Sequence, residues 1–220
     1  MQALVTGGTG RLGSAIAARL EGDGWTVFAA GRADGDVSEV EQARALVKRA
    51  AEELGGLDLL VNAAGEGFAP HPIEELTEAD WDAAFGATAK GSFFVSQAAA
   101  PHLRASRGCV VMIEDVAAYQ PWPSFAAHCA AKAAQATLTR VLARALAPEV
   151  RVCGVAPGPV AVEPGQEERR AEETLLGRVG SPEDVAEAVA YLANAAYVTG
   201  TTLVVDGGLL AKSGGGSFSY

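Results

Sequence analysis

The segment FAAHCAAKAA, residues 125–134, sets His128 four positions ahead of Lys132, a spacing that on a helix brings the imidazole and the ammonium onto one face, a turn apart. A titratable acid beside a fixed cation is suited to proton transfer at a substrate. The plainer reading is that both groups are only solvated on a helix surface.

A second constellation is the turn Thr6-Gly7-Gly8-Thr9-Gly10-Arg11-Leu12-Gly13. Gly8, Gly10 and Gly13 have the G-x-G-x-x-G spacing between an apolar run and a helical pattern, where glycines let the backbone approach a pyrophosphate at a helix N-terminus. A purely structural glycine turn is the alternative. The adenosine end of such a dinucleotide reaches the end of the second strand, where NAD sites place a carboxylate on the ribose hydroxyls. Here AAGRAD puts Gly31 and Arg32 at that point. Arg32, with Arg11, suits the additional 2′-phosphate of NADP through paired guanidinium hydrogen bonds, while Asp34 keeps NAD open.

Rigid elements must position these groups. Residues 2–6 read as a strand and the stretch from Ser14 to Leu20 as a helix. WTVFAAG is a second strand, and SEVEQARALVKRAAEEL a helix with Val40, Ala43, Val47, Ala50 and Leu54 on one face. Ser38 and Glu41 read as its capping box and Gly55-Gly56 as its stop. LDLLVNAAG gives another strand. Thr77 and Asp80 cap a long helix running through WDAAF and SFFVSQAAAPHL, CVVMI at 109–113 is a buried strand, and the helix carrying His128 follows. RVCGVAP is a strand into a Pro/Gly loop, SPEDVAEAVAYLA a helix capped by Ser181 with Pro182 first, and TTLVVDGG the last strand. Strands separated by helices imply an α/β fold, a Rossmann-like, doubly wound parallel sheet in three layers, α/β/α. One domain over residues 1–211 is expected, with a flexible Gly/Ser-rich tail at 212–220.

Composition bounds the function. The 220 residues are 49% hydrophobic and 20% charged, enough for a full core. A net charge of −10 argues against nucleic-acid and anionic-membrane partners, and favours a small-molecule substrate. No apolar run approaches the ~20 residues of a bilayer span, and MQALVTGG lacks the pattern of a signal peptide, so a cytoplasmic location is expected. Cys109, Cys129 and Cys153 are odd in number and without CxxC spacing; they read as buried thiols, and no metal site is expected.

Over nearly its whole length the chain resembles the short-chain dehydrogenase/reductase family. The T-G-x-x-x-R-x-G form of residues 6–13 is similar to its pteridine reductase branch. Asp36-Val37 resembles the family's adenine-binding pair, and Asn62-Ala63-Ala64-Gly65 its Asn-Asn-Ala-Gly turn with the second Asn replaced. Pro157-Gly158 resembles the loop beside the nicotinamide and Val205-Asp206-Gly207-Gly208 the closing strand. The resemblance implies NADP held by Thr6, Gly7, Gly10, Arg11, Leu12, Gly13, Arg32, Asp36, Val37, Asn62, Ala63, Ala64, Gly65, Lys132, Pro157 and Gly158. It also implies a homotetramer or homodimer through the two long helices. In the family's catalytic helix a Tyr-x-x-x-Lys pair works: Tyr protonates the substrate oxygen, and Lys holds the nicotinamide ribose and lowers the Tyr pKa. Lys132 matches the Lys, and His128 stands at the Tyr position. Asp115, thirteen residues upstream of His128, stands where most members have the catalytic Ser, again as in the pteridine reductase branch; Thr88 stands in place of an Asn on the central helix.

An imidazolium ionises near pH ~6.5 and a phenol near ~10. His128, oriented and charged by Asp115, is therefore expected to deliver a proton as the cofactor delivers hydride, with a rate that falls as pH rises through the imidazole titration. Between Arg32 and Asp36 only ADG stands where most members insert a helix and a further strand. That helix is expected to be missing or shortened, with GDV at most a vestigial edge strand. Loop residues Glu66–Pro72 and the segment from Ala161 to Leu176 lie where ligands sit in such sheets; Phe68 is weighed evenly between stacking on a flat heterocycle and packing. QEERRAEE at 166–173 reads as a solvated helix, and His71, His102, Tyr119 and Trp122 as packing or surface residues, the last two positioned to line the pocket. The expected function is NADPH-dependent reduction of a C=N or C=O bond in a small planar substrate such as a dihydropterin or dihydrofolate. Two rivals stand beside it: a short-chain reductase of ordinary carbonyls, and an NADP-binding sensor or scaffold without chemistry, which His128 and Thr88 favour.

Overall fold

The structure, a computed structural model, describes residues 1–65, 69–160 and 162–213. Its strands are β1 (Gln2–Thr6), β2 (Thr26–Ala30), β3 (Leu59–Asn62), β4 (Cys109–Ile113), β5 (Arg151–Pro157) and β6 (Thr202–Val205). All pair in parallel, in one six-stranded sheet of order β2-β1-β3-β4-β5-β6. The helices are α1 (Arg11–Gly22), α2 (Val40–Leu54), α3 (Glu78–Phe85), α4 (Gly91–Ser106), α5 (Ala126–Leu146), α6 (Glu167–Glu172), α7 (Pro182–Asn194) and α8 (Leu209–Ser213).

The strands are apolar on both faces, and alternate side chains feed two cores. Ala3, Val5, Leu59, Val61, Val111, Ile113, Cys153 and Val155 pack with Ile16 and Leu20 of α1 and Val185, Val189 and Leu192 of α7. Leu4, Leu60, Val110, Met112 and Val152 pack with Leu46 of α2, Val95 and Leu103 of α4 and Leu142 and Leu146 of α5. The three-layer doubly wound fold read from the sequence is therefore the fold observed. Strand order turns back between β1 and β3, the switch point where such sheets open a crevice at their carboxyl ends.

Several helix ends follow their residues. Thr77 and Asp80 form a reciprocal box at α3, Ser181 and Asp184 do so at α7 with Pro182 first, and Gly55 ends α2 in the left-handed region at φ 76°. The expected Ser38–Glu41 box is absent. Helix α2 starts from Glu39 without a side-chain cap, because the Ser38 hydroxyl donates instead to Asp36 Oδ1 at 2.7 Å. The long central helix is also not regular: Gly86–Lys90 form a wider π-type turn between α3 and α4. After β2 the chain makes only a 3₁₀ turn at Arg32–Asp34 before α2, so the shortening read from ADG holds, and GDV forms no strand. Phe68, Ala161 and the tail from residue 214 lie outside the described residues, and of the expected flexible segment Lys212 and Ser213 close α8.

Candidate active site

Two turns meet at the switch point. Gly7 has φ 65°, and a Cβ there would sit 2.7 Å from the Ala63 carbonyl oxygen, so the Gly turn lies directly on the Asn62–Gly65 turn. A Cβ on Gly13 would fall on the Gly7 carbonyl. Gly10 precedes α1 without a side-chain cap, leaving the first amides of the helix without an intrahelical acceptor. Thr6 and Asn62 work behind this surface. Both are buried; Asn62 Nδ2 donates to Ser96 Oγ at 3.0 Å, and Thr6 Oγ1 accepts from Ala64 N at 3.4 Å, tying strand ends to each other and to α4. Across the crevice, Gly158 N donates to Val205 O at 2.9 Å, and its hydrogen at Cα is all that fits against Asp206. Arg11 spans the mouth to Glu163 at 3.0 Å.

At the end of β2 the carboxylates are engaged locally. Asp34 accepts from Gly31 N at 2.9 Å through Oδ2 and from Arg49 Nη2 at 2.9 Å through Oδ1. Asp36 accepts from the Ser38 amide and hydroxyl, bonds that hold its carboxyl below the usual range, and Arg32 Nε stands 3.8 Å away with most of its side chain exposed. Val37, expected beside Asp36 at the adenine, is buried, and a Cβ on Gly91 would sit 3.0 Å from its Cγ2.

The structure brings Asp115, His128 and Lys132 together. Asp115 caps the 3₁₀ turn Val116–Ala118 after β4, its Oδ1 accepting from Ala117 N at 2.8 Å. This aims Oδ2 at His128 Nε2, 3.2 Å away. A carboxylate only accepts, so the shared proton belongs on Nε2. His128 and Lys132 occupy the same face of α5, and each is 8% exposed. Lys132 Nζ donates to Ile113 O at 2.8 Å and to Gln135 Oε1 at 3.2 Å. Burial pulls the Lys132 ammonium below the ordinary lysine range, against the opposing pull of Asp115 and Glu114.

Two groups here had no sequence signal strong enough to single them out. Gln135, one turn beyond Lys132, is fully buried, and its Nε2 donates to Ser92 Oγ at 2.7 Å; Ser92 in turn donates to the Thr88 carbonyl in the π-type turn. The i, i+3 spacing from Lys132 was the available clue. Glu114 is 2% exposed and accepts from Thr139 at 2.6 Å, Tyr119 at 3.0 Å and Thr202 at 3.0 Å. Burial pushes its carboxyl up, and the three hydroxyls and Lys132 oppose that shift. A charged letter ending the apolar run CVVMI was its only mark.

Residues 14–210 match the family model described as enoyl-(acyl carrier protein) reductase. The chain is 35% identical to 3beta-hydroxysteroid dehydrogenase 1 of Eggerthella lenta, over 96% of this chain and 94% of that one. It is 34% identical to 4-formylbenzenesulfonate dehydrogenase of Comamonas testosteroni, over 94% and 96%. This chain belongs to the short-chain dehydrogenase/reductase family. The ligand-free structure of Thermoplasma acidophilum aldohexose dehydrogenase superposes with a TM-score of 0.90 at 27% identity, covering 99% of this chain and 97% of that one. A short-chain dehydrogenase/reductase is an oxidoreductase using a nicotinamide cofactor and a small-molecule substrate, and the crevice fits one: the Gly turn has no room for side chains, and the α1 N-terminus is uncapped toward it. Among the described residues no His/Cys/Asp/Glu group could hold a metal, and no helix is long and apolar enough to cross a membrane.

Proposed function

We propose that this short-chain dehydrogenase/reductase is an NADPH-dependent reductase of a C=N or C=O bond in a small planar substrate, with His128 as the proton donor. The observation that carries this reading is the 3.2 Å contact between His128 Nε2 and Asp115 Oδ2 beside buried Lys132. Thr6, Gly7, Gly10, Arg11, Leu12, Gly13, Asn62, Ala63, Ala64, Gly65, Pro157 and Gly158 would line the dinucleotide, and Lys132 would hold the nicotinamide ribose. A bound nicotinamide supplies the hydride. His128 gives the proton to the heteroatom that hydride addition leaves basic, Asp115 keeps the ring aimed and balances its charge, and Lys132 adds a fixed cation.

NADPH is favoured over NADH because Asp34 is engaged by Gly31 and Arg49 and Asp36 by Ser38, while the Arg32 side chain, 3.8 Å from Asp36 and 65% exposed, sets a guanidinium at the same strand end. The Asp115 carboxylate beside the His128 ring sets an acceptor next to a donor. That edge complements an N–H adjacent to a C=N or C=O, as in a dihydropterin or dihydrofolate, the substrates that Asp115 and the T-G-x-x-x-R-x-G turn also suggest. Ordinary carbonyls are the second reading, favoured by relatives named for a hydroxysteroid and a formylbenzene compound. A cytoplasmic location is proposed on the free Cys109, Cys129 and Cys153. Self-association through α4 and α5 is proposed on the outer face of α5, where Val141 is 49% exposed.

The test is NADPH consumption with dihydropterin, dihydrofolate, ketone and aldehyde substrates from acid to alkaline pH, for wild type and His128→Tyr. The expected wild-type rate falls from acid to alkaline pH, and the Tyr variant keeps its rate to higher pH than wild type. Turnover only in the Tyr variant would mean a protein that binds cofactor without chemistry. Undiminished turnover in His128→Ala removes the imidazole from the reaction.

A further inference from the structure

On the reading just given, His128 loses a proton in every turnover and must regain one. Two of its neighbours offer no supply. Asp115 has Oδ1 on the Ala117 amide and Oδ2 on His128 itself. Lys132 opens a chain that runs inward and stops: Nζ donates to Gln135 Oε1 at 3.2 Å, Gln135 Nε2 donates to Ser92 Oγ at 2.7 Å, and the Ser92 hydroxyl donates to the Thr88 carbonyl. Every donor in that chain points away from Lys132, a carboxamide sits in its middle, and Gln135 and Ser92 are sealed from solvent.

A cavity of about 250 Å³ opens beside His128 and Thr88 and extends to His71, Asp80, Ser124 and Phe125. It has room for several waters, each of which takes about 30 Å³ in the liquid. Its two imidazoles differ in access: His128 is buried, while His71 is part-exposed. The His71 amide donates to Ser124 O at 2.9 Å, fixing the loop against the start of α5, and Asp80 in the first turn of α3 lines the same cavity.

We propose that this cavity is the route by which His128 is reprotonated, with His71 as the group that collects protons from solvent. One proton passes from bulk acid to the His71 ring, along waters that the cavity has room for and onto the neutral His128 imidazole, matching the one given to substrate; no electron moves on this path. His71 then serves as a proton shuttle, beyond the packing or surface role that its sequence context predicts.

The test uses the full chain with NADPH and whichever substrate class the panel turns over, in weak non-imidazole buffer. His71→Gln, which keeps a polar side chain but cannot carry a proton, is expected to lower kcat about tenfold with KM unchanged. Added imidazole restores kcat in the variant with saturation and leaves wild type unaffected. An indicator dye read by stopped flow shows proton uptake lagging NADPH oxidation in the variant alone. Full kcat and prompt proton uptake in His71→Gln at low buffer overturn the route, as does an imidazole response equal to that of wild type. If His128→Ala keeps its turnover, the assignment of His128 as the acid fails first. If His128→Ala is inactive while His71→Gln is indifferent to buffer, only the cavity route fails.

Discussion

Exchanging a phenol for an imidazole at position 128 changes what a neighbouring carboxylate does. Beside a phenol, a neighbouring carboxylate would oppose formation of the phenolate; beside His128 the Asp115 carboxylate accepts a hydrogen bond from Nε2 at 3.2 Å. Glu114, the adjacent residue, is placed differently, for burial favours its neutral form. Its carboxyl titrates higher in the fold than in the unfolded chain. That contribution to stability is fully present below the ordinary glutamate value of 4.5 and is lost as pH rises through the raised one. Glu114→Gln, which resembles the protonated acid, is expected to gain thermal stability relative to wild type as pH increases from 4 to 8, by differential scanning calorimetry at several pH values. Glu114→Ala, by contrast, strands the hydroxyls of Thr139, Thr202 and Tyr119 and costs about 2 kcal/mol in acid, a cost that shrinks as pH rises through the same titration. His128 and Lys132 were legible because helix spacing alone pairs them. Asp115 was legible only through resemblance, since thirteen residues and a loop separate it from His128. Glu114 and Gln135 were hidden because burial of a polar side chain leaves no periodic trace.

At the scale of elements, legibility tracked how local the deciding interaction is. The inner strands β1, β3, β4 and β5 declared themselves because both faces are covered, so their residues run apolar with little break. Ser181 and Asp184 cap α7 as their spacing implies, whereas Ser38 was claimed by Asp36, two residues away, before it could cap α2. The π-type turn at Gly86–Lys90 left no mark, because a few residues of wider winding barely disturb a 3.6-residue pattern. The α7 cap has a measurable pH signature. Arg178 and the Ser181 amide hold the Asp184 carboxyl down at about 2, from 3.8. Its stabilising effect is present above pH ~4 and is lost as pH falls from ~4 toward ~2. Asp184→Ala is expected to lower stability by about 1 kcal/mol, or about 2–4 °C in Tm, at neutral pH without changing turnover. The difference from wild type should close in acid, and a gap of constant size across that window would place the effect elsewhere.

For the whole molecule, the decisive feature is where the sheet ends. Among the described residues β2 is its edge, and a single 3₁₀ turn replaces the helix and strand that most members add there. On the proposed binding mode the adenosine half of NADPH is held at that end mainly through Arg32. Arg32→Glu is expected to raise the KM for NADPH at least tenfold and to narrow or reverse the preference over NADH, in steady-state assays with both coenzymes; equal KM values before and after would separate Arg32 from coenzyme choice. The ADG segment made this shortening readable, because a missing element changes chain length even when every remaining letter is ordinary. On the same binding mode, a coenzyme gripped at one end and only leaned against a turn at the other leaves soon after it has reacted. Spent and fresh molecules then trade places between cycles without a slow departure.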